Sequence, residues 1–223
     1  MSRVSSAAVR RADAMICGRM AAQRTIRRAE REMTVTVPPS AYRHLLRILA
    51  GNSHSVLDIG TGVMRSLGAL PCTVKIGLDA HRAYLEHREV GDAVPINASA
   101  LEVERLFVPG AVDLVTLIDV LEHFSYEDAV EVLRQAETVA QRRVMVLTPR
   151  GSFPQEGHDA FGLGGEDLQR HRSTWEAHDL VELGYQVAVL SGFHDARNES
   201  FVKAFGRHAP PVDALLAWKT VKR

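Results

Sequence analysis

The sequence predicts an α/β fold, a three-layer sandwich in which helices cover both faces of a mainly parallel sheet. Three observations predict it. Five strand-length runs, "SVLDIG", "VKIGLD", "AVPINA", "VDLVTLID" and "RVMVLTP", recur between residues 55 and 149. Most are continuously apolar rather than alternating, which suits strands covered on both faces. Helix-length segments separate them, and alternation of strand and helix builds parallel sheets.

The elements follow in order. Ala7 to Glu32 has the alanine- and arginine-rich composition of a helix, with Met15, Ile16, Met20 and Ile26 as an apolar docking stripe. Val35 to Pro39 is extended or turning, because Pro38 and Pro39 interrupt any helix. A short helix over "AYRHLLRILA" buries Leu45, Leu46, Ile48 and Leu49. "SVLDIG" is a strand that runs into a glycine turn at Gly60 and Gly62. The second strand closes at Asp79, the third at Asn97 and Ala98, and the fourth at Asp119 and Val120. Tyr126 to Ala140 carries Ala129, Val130, Leu133, Ala136 and Val139 at helical spacing, ahead of the fifth strand.

Pro149 to Arg172 mixes glycine, proline, charge and histidine, and reads as one long loop. Loops of this length are uncommon and often functional. Ser173 or Thr174 then caps a helix over "TWEAHDLVELG" that ends near Gly184. "QVAVLSG" and "SFVKAFG" are read as the last two strands, in an antiparallel arrangement. Pro210 and Pro211 open a tail with an apolar patch at Leu215, Leu216 and Trp218. The division is therefore an amino-terminal helical segment, 1–50, a core, 51–206, containing the loop 149–172, and a tail, 207–223.

Composition bounds the function. The 223 residues are 46% apolar and 24% charged, with zero formal net charge, which fits one domain with a substantial core. No overall charge favours nucleic acid, although Arg3, Arg10, Arg11, Arg19, Arg24, Arg27, Arg28 and Arg31 gather basic charge near the start. No apolar stretch is long enough to cross a bilayer, and the start lacks the apolar core of a secretory signal. The expectation is a cytoplasmic protein without membrane or nucleic-acid partners. Cys17 and Cys72 are the only cysteines and build neither a disulfide framework nor a metal motif.

The glycine turn carries the chemistry. Glycine lets a backbone approach a ligand closely, and amides at a helix start meet negative charge. No phosphate-loop sequence with its Gly-Lys-Ser/Thr ending is present. The spacing begins like a dinucleotide fingerprint, but Met64 and Arg65 stand where a further glycine would admit a pyrophosphate. Asp79 lies twenty-one residues after Asp58 and is placed to accept hydrogen bonds from both hydroxyls of a ribose. Asn97 and Ala98 are placed to frame an adenine. Asp119 and Val120 share the same sheet end, where such folds bind ligands.

These motifs together resemble the class I S-adenosylmethionine-dependent methyltransferases of the small-molecule branch. "VLDIGTG" is similar to their first motif, "IGLDA" to the ribose-binding one and "INASA" to the adenine region. "VDLVTLIDVLEHF" resembles the fourth-strand motif and "VLTPRG" the fifth-strand ending. The resemblance runs from Val56 to about Gly206. It implies a Rossmann-like, seven-stranded sheet whose final strand is antiparallel, with S-adenosylmethionine as cofactor. It places Asp58, Gly60, Thr61 and Gly62 at the amino-acid end, Asp79 on the ribose, and Ala80 and His81 beside the adenosyl group. Asn97 and Ala98 then meet adenine, Asp119 and Val120 the methionyl part, with His123 nearby. More narrowly, "TPRGSFPQEGHD" and "LQRHRSTWEAHDLVELGYQV" resemble bacterial enzymes of glycan and natural-product pathways. The resemblance implies that the first helix is a lid over the cleft, and its apolar stripe leaves a homodimer contact as the competing reading.

The expected reaction moves a methyl group to a small-molecule acceptor, with oxygen ahead of nitrogen and carbon. Neutral imidazole can take the acceptor's proton, so His171, then His158, then His123 are the candidate bases. Arg150, Gln169, Arg170 and Arg172 offer polar contacts to the acceptor, or simply a solvated loop. Trp175, Phe153 and Phe161 are walls of an acceptor pocket or anchors of the loop. Asp159, Glu166, Asp167 and His171 offer metal ligands without a standard spacing, so no metal is expected. A nicotinamide-dependent oxidoreductase and a non-catalytic adenosyl-ligand binding protein stay open as alternatives.

Overall fold

A computed structural model describes residues 34–221, together with 18–21, 23–25 and 28, which are helical. The rest of the expected first helix, with Met15, Ile16 and Ile26, lies outside the described residues, as does Cys17; Met20 is exposed. The elements are β1 (Thr34–Val37), α1 (Tyr42–Ala50), β2 (Ser55–Ile59), β3 (Val74–Asp79), α2 (Arg82–Glu86), β4 (Val94–Asn97), α3 (Val103–Leu106) and β5 (Val112–Ile118). They continue with α4 (Tyr126–Val139), β6 (Ala140–Pro149), α5 (Ala177–Glu182), β7 (Gln186–His194), α6 (Glu199–Phe205) and β8 (Val212–Thr220). Among the described residues no helix is long and apolar enough to cross a membrane.

The strands form one sheet in the order β1-β7-β8-β6-β5-β2-β3-β4. All run parallel except β8, which lies antiparallel between β6 and β7. Alternate residues of each strand enter opposite layers. Leu57, Val115, Val144 and Val146 pack with Val132, Leu133 and Ala136 of α4, on one face. Val56, Leu114, Met145 and Leu147 pack with Leu45, Leu46 and Leu49 of α1, on the other. The sandwich is therefore read correctly from the sequence.

Four expectations are corrected. The sheet has eight strands rather than seven, because Thr34–Val37 adds to its edge along β7. "SFVKAFG" is helix, not strand. Asn198 caps it by accepting from the Phe201 amide at 3.3 Å, Phe201 is buried, and Gly206 ends it at φ 86°. The final strand instead lies in the stretch read as a tail. Ala214 to Trp218 are all buried, the unbroken apolar run of a central strand. The helix expected from Ser173 also starts later, at Ala177, capped by Glu176 in a reciprocal box with Asp179.

This order sets the site. β2 has β3 and then β4 on one side and β5 on the other, so connections diverge at its carboxyl end. A crevice opens where chain direction splits in this way.

Candidate functional site

The site begins at the turn after β2. Asp58 is 1% exposed. Its Oδ2 accepts from Thr61 Oγ1 at 2.8 Å and Ser66 Oγ at 2.5 Å, and its Oδ1 from Thr116 Oγ1 at 2.5 Å. Burial pushes the carboxyl upward and the three hydroxyls oppose that. Asp58 therefore ties the turn to β5 rather than facing open space. Gly60 and Gly62 adopt φ 67° and 54°. A Cβ on Gly60 would stand 2.6 Å from Val120 Cγ2, so the ends of β2 and β5 meet only because Gly60 has no side chain. Met64 is fully buried at φ 65°, and Gly77 on β3 makes room for it. The position where a dinucleotide fold needs a glycine is thus filled by a packed side chain.

Asp79, 8% exposed, closes β3. Its Oδ2 accepts from the Gly62 amide and its Oδ1 from the His81 amide, each at 2.8 Å. A carboxylate has about four acceptor positions, so roughly two stay available. Burial pushes its pKa up, and the two amides draw it back. Asp79 lines a cavity of about 140 Å³ with Ala80, Tyr84, Ser99, Ala100 and Val120. Asn97 spends its amide on the carbonyls of Asp79 and Ala80, at 2.9 and 3.0 Å, and the Ala98 amide bonds the Asp79 carbonyl. Asn97 and Ala98 thus hold the turn, and the cavity wall here is formed by Ser99 and Ala100. His81 Nε2 lies 2.8 Å from the Leu163 carbonyl, fastening the long loop to this side.

A second cavity of about 520 Å³ adjoins the first, and both are lined by Gly60, Asp119, His123 and Gln169. Thr61, Gly62, Glu122, His171 and His194 also line the larger one. His123 Nδ1 lies 3.3 Å from the Arg170 carbonyl and His171 Nδ1 lies 2.7 Å from the Phe153 carbonyl. A carbonyl only accepts, so each Nδ1 carries the proton and each Nε2 keeps a lone pair. The rings stand 5.0 Å apart, edge to face. Burial, then the neighbouring His171, lowers His123 to about 4, and burial lowers His171 as well, so both are neutral at pH 7. Burial raises Asp119 and Glu122, and the neighbouring Asp119 carboxylate raises Glu122 further. Thr148 Oγ1 donates to Glu122 Oε2 at 2.9 Å.

The structure brings His123 and His171 together and leaves His158 apart. His158 lies against Lys203 Nζ at 2.7 Å and Glu199 at 3.8 Å, beside α6. Asp159 is the hub of the long loop and accepts from the amides of Phe161, Leu163 and Gly165. Phe161 lies over Gly62 and meets Tyr84 edge-on at 5.0 Å, so the loop roofs the cleft. Trp175 is fully buried and stacks on Tyr126, which makes it a loop anchor. Arg150 pairs with Glu176 and Asp213, away from the cavities, whereas Arg172 lines the smaller one.

Sequence reasoning missed Glu122 and His194. Glu122 follows β5 and His194 closes β7, at strand ends that line the cleft, and an ionisable side chain in "DVLEHF" or closing "QVAVLSGFH" was the available signal. His194 is 5% exposed; burial, then His171, lowers its pKa to about 4. The unfolded chain, with a His near 6.5, binds this proton more readily, so stability is complete above that pH and falls as pH drops toward 4. Relative to His194→Phe, the wild type should lose about 3 kcal/mol of unfolding free energy between pH 7 and pH 4. Urea unfolding of both proteins across that range checks this, and the difference between them cancels the opposite trend of the raised carboxylates. Parallel curves would remove the buried neutral imidazole from the account.

No protein-family model matches the chain, and no curated protein matches it. Solved structures do resemble it. A candidate methyltransferase from Bacillus halodurans has 15% identity and a TM-score of 0.57, over 81% of this chain and 99% of that one. An S-adenosylmethionine-dependent methyltransferase from Archaeoglobus fulgidus has 17% identity and a TM-score of 0.51, over 81% and 94%. The plantazolicin methyltransferase, solved with S-adenosylhomocysteine, has 18% identity and a TM-score of 0.51, over 82% and 80%. The fold is therefore the Rossmann-like α/β fold that S-adenosylmethionine-dependent methyltransferases use.

Proposed function

We propose that this protein is an S-adenosylmethionine-dependent methyltransferase acting on an oxygen of a small-molecule acceptor. One observation carries the reading. Asp79 is anchored through two backbone amides with acceptor capacity left over, at the mouth of the crevice beside β2. A ribose diol is the group such a carboxylate suits. Ala80, Ser99 and Ala100 offer small walls for adenine, and Gly60, Thr61, Gly62 and Asp119 surround the start of the larger cavity for the amino-acid end. The buried Met64 disfavours a nicotinamide dinucleotide, whose pyrophosphate needs that space.

Bound there, the sulfonium supplies an electrophilic methyl group. The chain's own part is alignment, exclusion of water and control of the acceptor's proton. The roof of Phe161 and Gln169 covers the cleft, and His123 and His171 present two neutral nitrogens to the acceptor space. Isothermal titration with S-adenosylhomocysteine, NAD and NADP tests the reading. S-adenosylhomocysteine should bind and the nicotinamides should not; the reverse result sinks it. Methyl transfer from S-adenosylmethionine to a panel of hydroxylated acceptors then separates an enzyme from a ligand-binding protein.

A further inference from the structure

We propose that Glu122, His123 and His171 form a binding site for one divalent transition-metal ion at the floor of the larger cavity. One ligand atom from each of the three lies within 4.8 Å of the other two. Atoms bound at about 2.1 Å to one ion stand about 3–3.5 Å apart, so a small inward shift of side chains closes the site. The motif spacing predicts no metal, because Glu122 and His123 are adjacent in the turn after β5 and the third ligand comes from the far end of the long loop.

The surroundings are those of a ligand set. Both imidazoles donate Nδ1–H to backbone carbonyls, which fixes the tautomer and directs Nε2 as the free donor atom. Metal-bound histidines are typically held in this way. Thr148, fully buried, holds one oxygen of Glu122 and leaves the other. The adjoining cavity of about 520 Å³ keeps further coordination positions open to a substrate. An independent observation comes from His194, which lines the same cavity. Its Nε2 is buried and has no hydrogen-bond partner. Asn198 accepts from the Phe201 amide, so its side-chain nitrogen faces His194 Nδ1, at 3.4 Å. Nε2 of His194 therefore carries a proton and lacks an acceptor, which an oxygen ligand of the ion would supply.

Two imidazoles and one carboxylate suit manganese, iron(II), cobalt or zinc better than magnesium or calcium, which prefer all-oxygen sites. The use of the ion rests on the methyltransferase reading. It would hold the acceptor's oxygen and lower the pKa of its hydroxyl, whose proton leaves to solvent water. The lone pairs of His123 and His171 then serve the ion rather than taking that proton directly.

The test is titration of chelator-treated protein with cobalt(II), followed by calorimetry and visible absorption. One equivalent should bind, and the complex should show two exchangeable, paramagnetically shifted imidazole N–H resonances. Glu122→Gln and His171→Asn should weaken binding by about 100-fold or more, and Thr148→Val by about 10–100-fold. Absence of saturable one-equivalent binding, or of the shifted resonances, overturns the site in the unaltered protein, whether or not the variants fold. Unchanged affinity in folded Glu122→Gln and His171→Asn does the same. S-adenosylhomocysteine titrated into the same samples keeps the two readings apart: cobalt without that ligand leaves the site and removes its methyl-transfer use, and the reverse removes only the site.

Discussion

Replacing His171 by alanine is expected to lower kcat by about 10²–10⁴-fold with any acceptor the wild type methylates, and to leave S-adenosylhomocysteine affinity unchanged. The separation follows from the two cavities. His171 lines the larger one, away from the Asp79 side, and its ring is held by the Phe153 carbonyl and by edge-to-face contact with His123. Its Nε2 serves the acceptor, directly or through an ion. A merely structural role gives a different signature, because Phe153 packs on His171 and His194 and loosening it would disturb the whole loop. KM for the acceptor and thermal stability would then move together with kcat. His171→Phe keeps a ring against Phe153 and should lose kcat as fully as the alanine variant. Normal turnover in both variants would remove His171 from acceptor activation.

The parallel core was legible because a strand covered on both faces must be apolar at consecutive positions, as in Val56-Leu57 and Val144-Met145-Val146-Leu147. The acids that close those strands stood out against such runs, which is how Asp79 and Asp119 were found. What failed was pairing. Nothing local in "TVTV" states that it joins a sheet edge along β7, and the two prolines before Val212 hid a central strand behind the look of a tail. Short helices fail for a related reason. Phe201 and Phe205, four apart, fit either period, and the Asn198 cap settles the matter only once its hydrogen bond is seen.

At the site the residue types were legible and their assignments were not. Asp58 and Asp79 look alike in sequence, each closing an apolar strand. Three hydroxyls surround Asp58 and consume its acceptor capacity, whereas two amides leave Asp79 with some. Likewise His158 and His171 sit in one loop, but the Asp159 hub turns the chain between them, and only His171 comes beside His123. Such differences arise from hydrogen bonds between distant segments and have no local sequence signal.

Asp79→Ala is expected to weaken S-adenosylhomocysteine binding by about 100-fold or more. Hydrogen bonds to a charged group contribute about 1.5–3 kcal/mol each, and the variant loses those to the ribose. It also frees the Gly62 and His81 amides, and with them the relative position of the two turns that flank the cleft. Asp79→Asn keeps the volume but offers one acceptor atom in place of two, so it should fall between wild type and alanine. Affinity alone does not separate a direct ribose contact from a collapsed turn. An S-adenosylhomocysteine analogue lacking both ribose hydroxyls does. Wild type should bind it far more weakly than the parent ligand, while Asp79→Ala should bind the two nearly alike, because the partner of those hydroxyls is gone. If Asp79→Ala still discriminated as strongly as wild type, the carboxylate would not be touching the diol, and the assignment of the smaller cavity to the adenosyl group would fall with it.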